Sequence, residues 1–221
     1  MPDWGIEQPL ARQGGEQRSE ARYALLLRPA KIVAPFGEYL CILRDVSARG
    51  LKLRLFHPLP PGQRMLLELA NGDRYEVERV WERDDQAGFE FVHAADLRHL
   101  LSENSRFPKR QLRLNLQTPA MICVNGVACP VVLHNLSQMG GRLEYDGRLA
   151  IDQHIRIEAP GLAQRYAKVR WRRPPAHGFV FEETFRLDEL ARLAAALQPF
   201  PAAAPEEDEV DALFARLRQQ G

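Results

Sequence analysis

The chain has 221 residues, of which 45% are hydrophobic and 27% are charged, and its formal net charge is +1. This composition is typical of a soluble protein with two modest cores, and no apolar run is long enough to cross a membrane. The small net charge argues against broad attraction to DNA or to a membrane surface, because such binding needs many cations on one face. We therefore expect a cytoplasmic protein with no DNA binding and no membrane insertion.

The first 17 residues carry none of the marks of a secretion signal. They contain neither a positively charged start followed by an apolar stretch nor a small-residue cleavage site. We expect residues 1–17 to form a disordered arm.

Short strands dominate the pattern that follows the arm. Gly, Pro, Asn and Asp turns separate short apolar runs, some of them alternating as in Leu-Lys-Leu-Arg-Leu at 51–55, where the leucines would fill an interior. Residues 94–103 then show three- and four-residue apolar spacing, which predicts a helix. The predicted strands of this first series are 24–34, 38–44, 50–55, 64–70, 74–81 and 87–92.

A second series of the same kind follows. Its clearest turn is Asn125-Gly126, a pair that favours a two-residue hairpin. This hairpin would direct the side chains of Cys123 and Cys129 to opposite faces of the sheet, which disfavours a disulfide between them. Residues 186–197 end the series with a predicted helix. The predicted strands are 112–124, 127–134, 141–146, 153–159, 164–172 and 177–183.

Residues 199–221 contain a proline-rich linker and an amphipathic segment. The linker PFPAAAP precedes EEDEVDALFARLRQQ, in which Val210, Leu213, Phe214 and Leu217 share one helical face. Acidic residues at the start and arginines near the end suit the helix dipole. The helix either packs back on the folded body or docks on a protein partner.

The two series are copies of one another. RSEAR at 18–22 returns as RFPKR at 106–110, 88 residues later, and DVSARG at 45–50 returns as NLSQMG at 135–140, 90 residues later. A fixed period predicts two copies of one domain. The predicted domains are 18–103 with a connecting helix and 104–198 with a C-terminal helix.

RxxxR followed by (D/N)xSxxG resembles the signature of the PilZ domain, the bacterial receptor module for cyclic di-GMP. Order and spacing carry the resemblance, because RxxxR alone is common in an arginine-rich chain, and Arg79 and Arg83 form such a decoy. The resemblance implies an all-β fold with terminal helices, built as two tandem six-stranded antiparallel barrels. It also implies a cyclic di-GMP site in each copy. The candidate ligand-binding residues are Arg18, Arg22, Asp45, Ser47, Gly50, Arg106, Arg110, Asn135, Ser137 and Gly140.

These residue types suit a ligand with two phosphates and two guanines. Arginine presents a planar fork of donors that fits phosphate oxygens or the O6/N7 edge of guanine. Asp45 can accept from the N1 and N2 donors of one guanine, whereas Asn135 offers one amide oxygen. Ser47 and Ser137 can fix the local turn by bonding nearby backbone. The motif glycines allow a positive φ or a close backbone approach to the ligand.

Two differences separate the copies. Leu51 follows the motif glycine in the first copy and Gly141 follows it in the second, which predicts an easier approach of ligand to the second site. The second copy also has two extra residues between its arginines and its first strand. Arg113 could therefore take the place of Arg110.

We find no enzyme, cofactor or metal motif. The six histidines lack metal-ligand spacing, and phosphate-loop, dinucleotide and serine-nucleophile fingerprints are missing from the sequence. The three cysteines lack zinc spacing and are interpreted as core residues. Trp81 and Trp171 occupy matching places, and both are predicted to be buried.

Three functions remain open. The favoured one is a receptor that binds cyclic di-GMP and relays it to a protein partner in motility, biofilm or exopolysaccharide control. The second is an adaptor of the same fold that binds a protein partner without nucleotide. The third is a single-stranded nucleic-acid binder, which needs exposed aromatics over a basic groove and which the net charge disfavours. The sequence leaves the oligomeric state open.

Overall fold

The computed structural model describes residues 27–101, 111–199 and 203–219. Its strands form two closed, six-stranded antiparallel barrels, which confirms the predicted fold class. Barrel 1 consists of β1 (Arg28–Ala34), β2 (Gly37–Val46), β3 (Gly50–Leu55), β4 (Arg64–Leu69), β5 (Arg74–Arg83) and β6 (Gln86–Phe91). Barrel 2 consists of β7 (Leu114–Val124), β8 (Val127–Leu136), β9 (Gly140–Glu144), β10 (His154–Ala159), β11 (Leu162–Arg173) and β12 (Ala176–Phe181).

The two barrels share one topology. The strand order around barrel 1 is β1-β2-β3-β6-β5-β4, and barrel 2 repeats this circuit as β7-β8-β9-β12-β11-β10. An irregular pairing recurs at equivalent places, between Leu43 and Asp45 in β2 and between Leu133 and Asn135 in β8. Because each sheet closes into a barrel, every described strand pairs with a neighbour on both sides, and the described strands leave no open sheet edge.

Alternating side chains fill the barrels. Leu51, Leu53 and Leu55 are buried in barrel 1, whereas Lys52 is half-buried and Arg54 is exposed. This confirms the period-two prediction for β3, because successive side chains of a strand point to opposite faces. Each buried leucine stabilises the fold by roughly 1.5–3 kcal/mol relative to an exposed one.

The Asn125-Gly126 hairpin forms as predicted. Asn125 has a φ of 50° and Gly126 has a φ of 85°, the left-handed pair of conformations that a tight hairpin turn requires. Cys129 pairs with the buried Ile122, so Cys123, the next residue after Ile122, faces the other side of the sheet.

The prediction that all three cysteines lie in a core is wrong for Cys123, whereas the half-buried Cys129 packs against the core of barrel 2. Cys41 is buried in barrel 1, and burial raises the pKa of its thiol. Cys123 and Cys129 are half-buried.

The predicted burial of the two tryptophans is also wrong. Trp81 is 43% exposed and Trp171 is 38% exposed. In each barrel the strand pairing slips just before the tryptophan, which turns its side chain to the outer surface. Each indole lies over a glycine of the neighbouring strand, Gly88 or Gly178, where a Cβ would overlap the ring.

Three helices accompany the barrels: α1 (Leu97–Leu101), α2 (Leu187–Leu197) and α3 (Glu207–Arg218). Helices α1 and α2 follow the last strands of their barrels at equivalent positions, and the described part of α1 is shorter than the predicted 94–103. Leu100 of α1 is buried in the core of barrel 1. Helix α2 packs on barrel 2 through Leu190, Ala191, Leu193 and Ala194.

The tail helix α3 packs on the outside of barrel 1. Its residues Val210, Leu213 and Phe214 are buried with Val33 of β1 and Leu66 of β4. Acidic side chains occupy its first turn and arginines its last turn, as the helix dipole favours. The structure therefore agrees with the first interpretation of the tail, in which the helix packs back on the folded body.

A buried charge cluster joins the two barrels. Lys31 Nζ lies 2.8 Å from Glu38 Oε2 and 3.1 Å from Glu68 Oε1, and it donates to the backbone oxygen of Arg113 at 2.9 Å. The backbone and side-chain N–H groups of Asn115 donate to the two carboxylate oxygens of Glu38, both at 2.8 Å. Lys31 is only 3% exposed, so its charge depends on these partners.

The end of α2 completes this junction. Gln198 accepts from the backbone N–H of Glu38 at 3.0 Å and donates to its backbone oxygen at 3.1 Å. The hydroxyl of Tyr39 donates to the backbone oxygen of Gln198 at 3.2 Å. Burial raises the pKa of Tyr39 to about 12, so the hydroxyl remains a donor at neutral pH.

The described helices are all too short or too polar to cross a membrane. The predicted limits of the arm and of the two domains fall partly outside the described residues and stay predictions.

Candidate functional site

The candidate residues fall into two groups. The motif arginines Arg18, Arg22, Arg106 and Arg110 lie outside the described residues. The other six lie at the turn between the second and third strands of each barrel. These are Asp45, Ser47 and Gly50 in barrel 1 and Asn135, Ser137 and Gly140 in barrel 2.

A serine holds each of these turns. The backbone N–H of Ser47 donates to the backbone oxygen of Gly50 at 2.7 Å, and Ser47 Oγ accepts from the Gly50 N–H at 3.1 Å. The backbone N–H of Ser137 donates to the backbone oxygen of Gly140 at 2.7 Å, and Ser137 Oγ donates to the same oxygen at 3.0 Å. This confirms the predicted turn role of both serines.

The neighbouring strand explains the motif glycines. A Cβ on Gly140 would lie 2.1 Å from the backbone oxygen of Phe179, and a Cβ on Gly50 would lie 3.0 Å from that of Phe89. Neither glycine has a positive φ. Of the two alternatives allowed for these glycines, the structure has a close approach, and this approach is to the last strand of the same barrel.

The residue after each motif glycine faces the interior. Leu51 is buried. A Cβ on Gly141 would lie 2.3 Å from the backbone oxygen of Asn135 and 3.0 Å from Cζ of Phe179, whose ring fills the space. The expectation that Gly141 eases the approach of a ligand is wrong, because this position points into the core.

The two acceptor residues are half-buried at the ends of β2 and β8. Asn135 Oδ1 is itself buried and accepts no hydrogen bond from any residue that the structure describes. An unsatisfied buried acceptor costs about 1–3 kcal/mol. The oxygen therefore needs a donor beyond these residues. Asp45 has the equivalent place in barrel 1 and carries a carboxylate instead of an amide.

The described chain enters barrel 2 beside its turn. Gln111 Oε1 accepts a hydrogen bond from the backbone N–H of Met139 at 3.1 Å. Arg110 immediately precedes Gln111 in the sequence, and Arg113, two residues further on, is exposed.

The extra residues of the second copy lengthen its first strand. Strand β7 begins at Leu114, whereas the start of β1, Arg28, corresponds to Thr118. The pairing of β7 with β8 slips between Asn115 and Thr118. The replacement of Arg110 by Arg113 stays a prediction.

A cleft of about 1490 Å³ separates the turn of barrel 2 from barrel 1. Barrel 2 lines it with Gln111, Arg113, Ser137 and Met139. Barrel 1 contributes the hairpin between β4 and β5 and residues 93–96, and α3 contributes its last turn. The size is ample for a ligand larger than a single nucleotide. Of the two serine turns, the one in barrel 2 reaches this cleft.

Charges of both signs line the cleft. Arg74 Nε lies 2.9 Å from Glu68 Oε2, and Arg218 of α3 lies 2.5 Å from Glu76 Oε1. Burial raises the pKa of Tyr75 to about 12, which leaves a neutral donor at this wall. Sequence reasoning missed these residues, because Arg74 and Glu68 meet through the pairing of β4 with β5, and Arg218 meets Glu76 through the packing of α3 on barrel 1.

The decoy arginine Arg79 has a structural role. Its guanidinium donates to the backbone oxygen of Gly62 at 2.7 Å and to Glu82 Oε2 at 2.8 Å, which holds the loop between β3 and β4. Arg83 is exposed at the end of β5.

Comparison with known families gives one match. Residues 16–103 match the family model of the PilZ domain. This range contains Arg18, Arg22 and the turn of barrel 1. No curated protein matches the chain.

Several solved structures resemble the chain at low identity. PlzA from Borreliella burgdorferi, in complex with c-di-GMP, is 12% identical over 82% of this chain and 94% of its own, with a TM-score of 0.34. YcgR from Escherichia coli, also in complex with c-di-GMP, is 14% identical over 88% and 87%, with a TM-score of 0.30. The Bacillus subtilis inhibitor of motility is 12% identical over 75% and 92%, with a TM-score of 0.33. At this level of identity and TM-score, the solved structures support no functional argument for this chain, which depends on the motifs instead.

Proposed function

We propose that the chain, whose residues 16–103 match the family model of the PilZ domain, is a receptor for cyclic di-GMP. The proposed receptor is cytoplasmic, has no catalytic activity, and passes the signal to a protein partner in motility, biofilm or exopolysaccharide control. Its proposed sites are Arg18, Arg22, Asp45, Ser47 and Gly50 in barrel 1, and Arg106, Arg110, Asn135, Ser137 and Gly140 in barrel 2.

The observation that carries the proposal is the family match over both motifs in order. RxxxR alone has little weight, as the decoy at Arg79 demonstrates. Residues 16–103 contain RxxxR and also the DVSARG turn that follows it. Barrel 2 repeats both motifs and repeats the hydrogen bonds that fix the turn, which supports a second site of the same kind.

The acceptors of the two turns suit the guanine edge. Guanine presents its N1–H and N2–H donors side by side. The carboxylate of Asp45 can accept both, whereas Asn135 can accept through Oδ1, the buried oxygen that lacks a described donor. A bound guanine, or an arginine that it brings into place, would satisfy this oxygen.

The arginines suit the phosphates and the purine faces. A guanidinium donates two parallel hydrogen bonds to a phosphate and also stacks on a purine. In barrel 2 the sequence places Arg110 next to Gln111, which contacts the turn, and Arg113 adds a cation at the cleft. Binding would order the arginine segments against the turns, which is a general way to switch a surface.

Isothermal titration calorimetry of cyclic di-GMP into the chain and into Arg22→Ala/Arg110→Ala tests the proposal. We expect the double variant to lose binding, because each arginine supplies bonds worth about 1.5–3 kcal/mol and a micromolar affinity totals only about 8 kcal/mol. The matched control is the decoy pair, Arg79→Ala/Arg83→Ala, whose affinity should stay within about threefold of the parent. Circular dichroism checks that all variants are folded.

Two outcomes contradict the receptor function. One is full affinity in a folded Arg22→Ala/Arg110→Ala chain. The other is a folded parent chain that binds no nucleotide, which would favour the adaptor function instead.

Separate variants test whether both copies bind. Arg18→Ala/Arg22→Ala should leave the site in barrel 2, and Arg106→Ala/Arg110→Ala should leave the site in barrel 1. We expect the calorimetric stoichiometry to fall by half in each variant. Complete loss of binding in one variant alone would show that the other copy has no independent site.

A further inference from the structure

Each motif acceptor is paired directly with a cation on the next strand. Asn135 of β8 lies opposite Arg142 of β9, and Asp45 of β2 lies opposite Lys52 of β3. Both members of the pair recur after 90 residues, so the arrangement is the same in the two barrels. Opposed residues of antiparallel strands have Cβ atoms about 5 Å apart, and one small ligand group can therefore contact both side chains.

These pairs project from the outer surface of the barrels. In barrel 2 the next residues on the two strands, Leu136 and Leu143, are fully buried. Neighbouring side chains of a strand point to opposite faces, so Asn135 and Arg142 face outward. The strand pairing slips just before Asn135, as it does before Asp45 in barrel 1. Irregular pairing of this kind is common beside functional sites, where it redirects a side chain.

The pair in barrel 2 has one acceptor and one donor without a partner. Asn135 Oδ1 and Arg142 Nε are both buried atoms, and neither has a hydrogen-bond partner among the residues that the structure describes. Each such atom costs free energy unless another group satisfies it. A ligand group that fits both must offer a donor and an acceptor side by side.

The charge of Arg142 already has a counterion. Its Nη2 lies 3.1 Å from Oε1 of Glu144, two residues further along β9. A carboxylate beside a guanidinium weakens its attraction for a phosphate, while the remaining N–H groups can still donate to a neutral oxygen. Arg142 therefore suits the edge of a base better than it suits a phosphate.

Guanine has the required pattern of donors and acceptors. Its N1–H and N2–H groups are donors, and its O6, next to N1, is an acceptor. Adenine has the N6 amine, a donor, in the place of O6. A pair with an acceptor at Asn135 and a cation at Arg142 therefore matches guanine, whereas with adenine it sets donor against donor.

We propose that Arg142 donates to O6 of the guanine whose N1–H and N2–H groups donate to Asn135, and that this pair selects guanine over adenine. Lys52 has the same role opposite Asp45 in barrel 1, where an ammonium group supplies the donor. The inference rests on the proposed receptor function and adds to it the residues that determine base specificity.

Isothermal titration calorimetry of the full-length Lys52→Met/Arg142→Met variant with cyclic di-GMP and with cyclic di-AMP tests the proposal. We expect the dissociation constant for cyclic di-GMP to rise at least about tenfold, because a well-placed contact to a base edge discriminates by that factor or more. The dissociation constant for cyclic di-AMP should stay within about threefold of the parent value. The preference for guanine should therefore fall about tenfold.

Cyclic di-IMP isolates the contact to O6. Its hypoxanthine base keeps O6 and N1–H and lacks the N2 amine. The double variant should therefore lose as much affinity for cyclic di-IMP as for cyclic di-GMP, about tenfold. Arg142→Lys, which installs the residue of barrel 1, should keep the preference for guanine within about threefold of the parent chain.

The matched control is Arg54→Met/Arg156→Met, which also removes one positive charge from the outer surface of each barrel. It should leave both dissociation constants within about threefold of the parent values, and circular dichroism should show all variants folded.

Two results with folded variants overturn the proposal and leave the receptor function standing. One is unchanged affinity of Lys52→Met/Arg142→Met for cyclic di-GMP. The other is an equal loss of affinity for cyclic di-GMP and cyclic di-AMP, which would assign the two cations to phosphates. A parent chain that binds no cyclic di-GMP overturns the receptor function and this proposal with it.

Discussion

The first hairpins of the two barrels have the same strands and the same register but opposite surroundings. In barrel 1 the outer side of β1 and β2 is covered by barrel 2 and α3, whereas in barrel 2 the outer side of β7 and β8 is exposed. Lys31 and Met121 occupy the same place in these two settings. The residues that repeat determine strands and turns, while the residues that differ determine how the barrels assemble.

Giving barrel 1 the residue of barrel 2 should produce the largest effect on stability. Lys31→Met leaves Glu38 buried in the junction without the cation Lys31, whereas Glu68 keeps its ion pair with Arg74. We expect the free energy of unfolding to fall by about 3–5 kcal/mol, as is usual when one partner of a buried ion pair is removed. Urea denaturation measures the change.

Lys52→Met is the matched control for that substitution. It removes the same charge from a half-buried position of β3, and its effect should stay within about 0.5 kcal/mol. A loss below about 1 kcal/mol for Lys31→Met would show that desolvation offsets the ion pairs almost completely.

Alanine substitution of the motif glycines should lower stability less than Lys31→Met, and by different amounts in the two barrels. Gly140→Ala places a Cβ 2.1 Å from the backbone of β12, whereas Gly50→Ala leaves 3.0 Å to the backbone of β6. We expect a loss of about 2–3 kcal/mol for Gly140→Ala and below about 1 kcal/mol for Gly50→Ala, because both contacts are to a backbone oxygen and the one at Gly140 is far too close to be relieved by a small shift. Equal losses in thermal or urea unfolding would contradict this difference between the barrels.

The smallest expected effect depends on pH and belongs to barrel 1 alone. Burial lowers the pKa of His57, while hydrogen bonding to Pro58 and the charge of Glu82 act in the other direction. The corresponding residue of barrel 2 is Gly147. Since the folded pKa lies below the unfolded value, the unfolded chain binds a proton first. Stability is then fully present above about pH 6.5 and falls as the pH drops below it.

His57→Gln should remove this part of the pH dependence. The urea midpoint, measured between about pH 5 and pH 8, should depend less steeply on pH in the variant than in the parent. A smaller dependence should remain, because the other histidines titrate in both chains. Identical slopes of midpoint against pH in the two chains would show that His57 contributes nothing to the pH dependence of stability.

Local signals made most of the fold predictable. The alternation at 51–55 and the Asn125-Gly126 pair each act within a few residues, so strand and hairpin could be predicted without knowledge of the rest. The exposure of Trp81 could not, because one slip in the pairing of β5 moves its side chain from the interior to the surface.

The candidate site was predictable only in part. The serine turns follow from motif spacing, and the structure has them with the expected hydrogen bonds. The cleft brings Arg113 and Arg218 together, residues from distant parts of the chain that carry no shared pattern. The roles of the four motif arginines stay predictions, because these residues lie outside the described ranges.

The position of α3 affects the order in which the molecule can be completed during synthesis. All strands of barrel 1 lie within residues 28–91, but the side chains that cover Val33 and Leu66 come from residues 210–214. A ribosome finishes barrel 1 long before it makes that helix. The nascent barrel consequently keeps an uncovered apolar strip until translation reaches the tail, and a chain released early would carry that strip exposed to other nascent proteins.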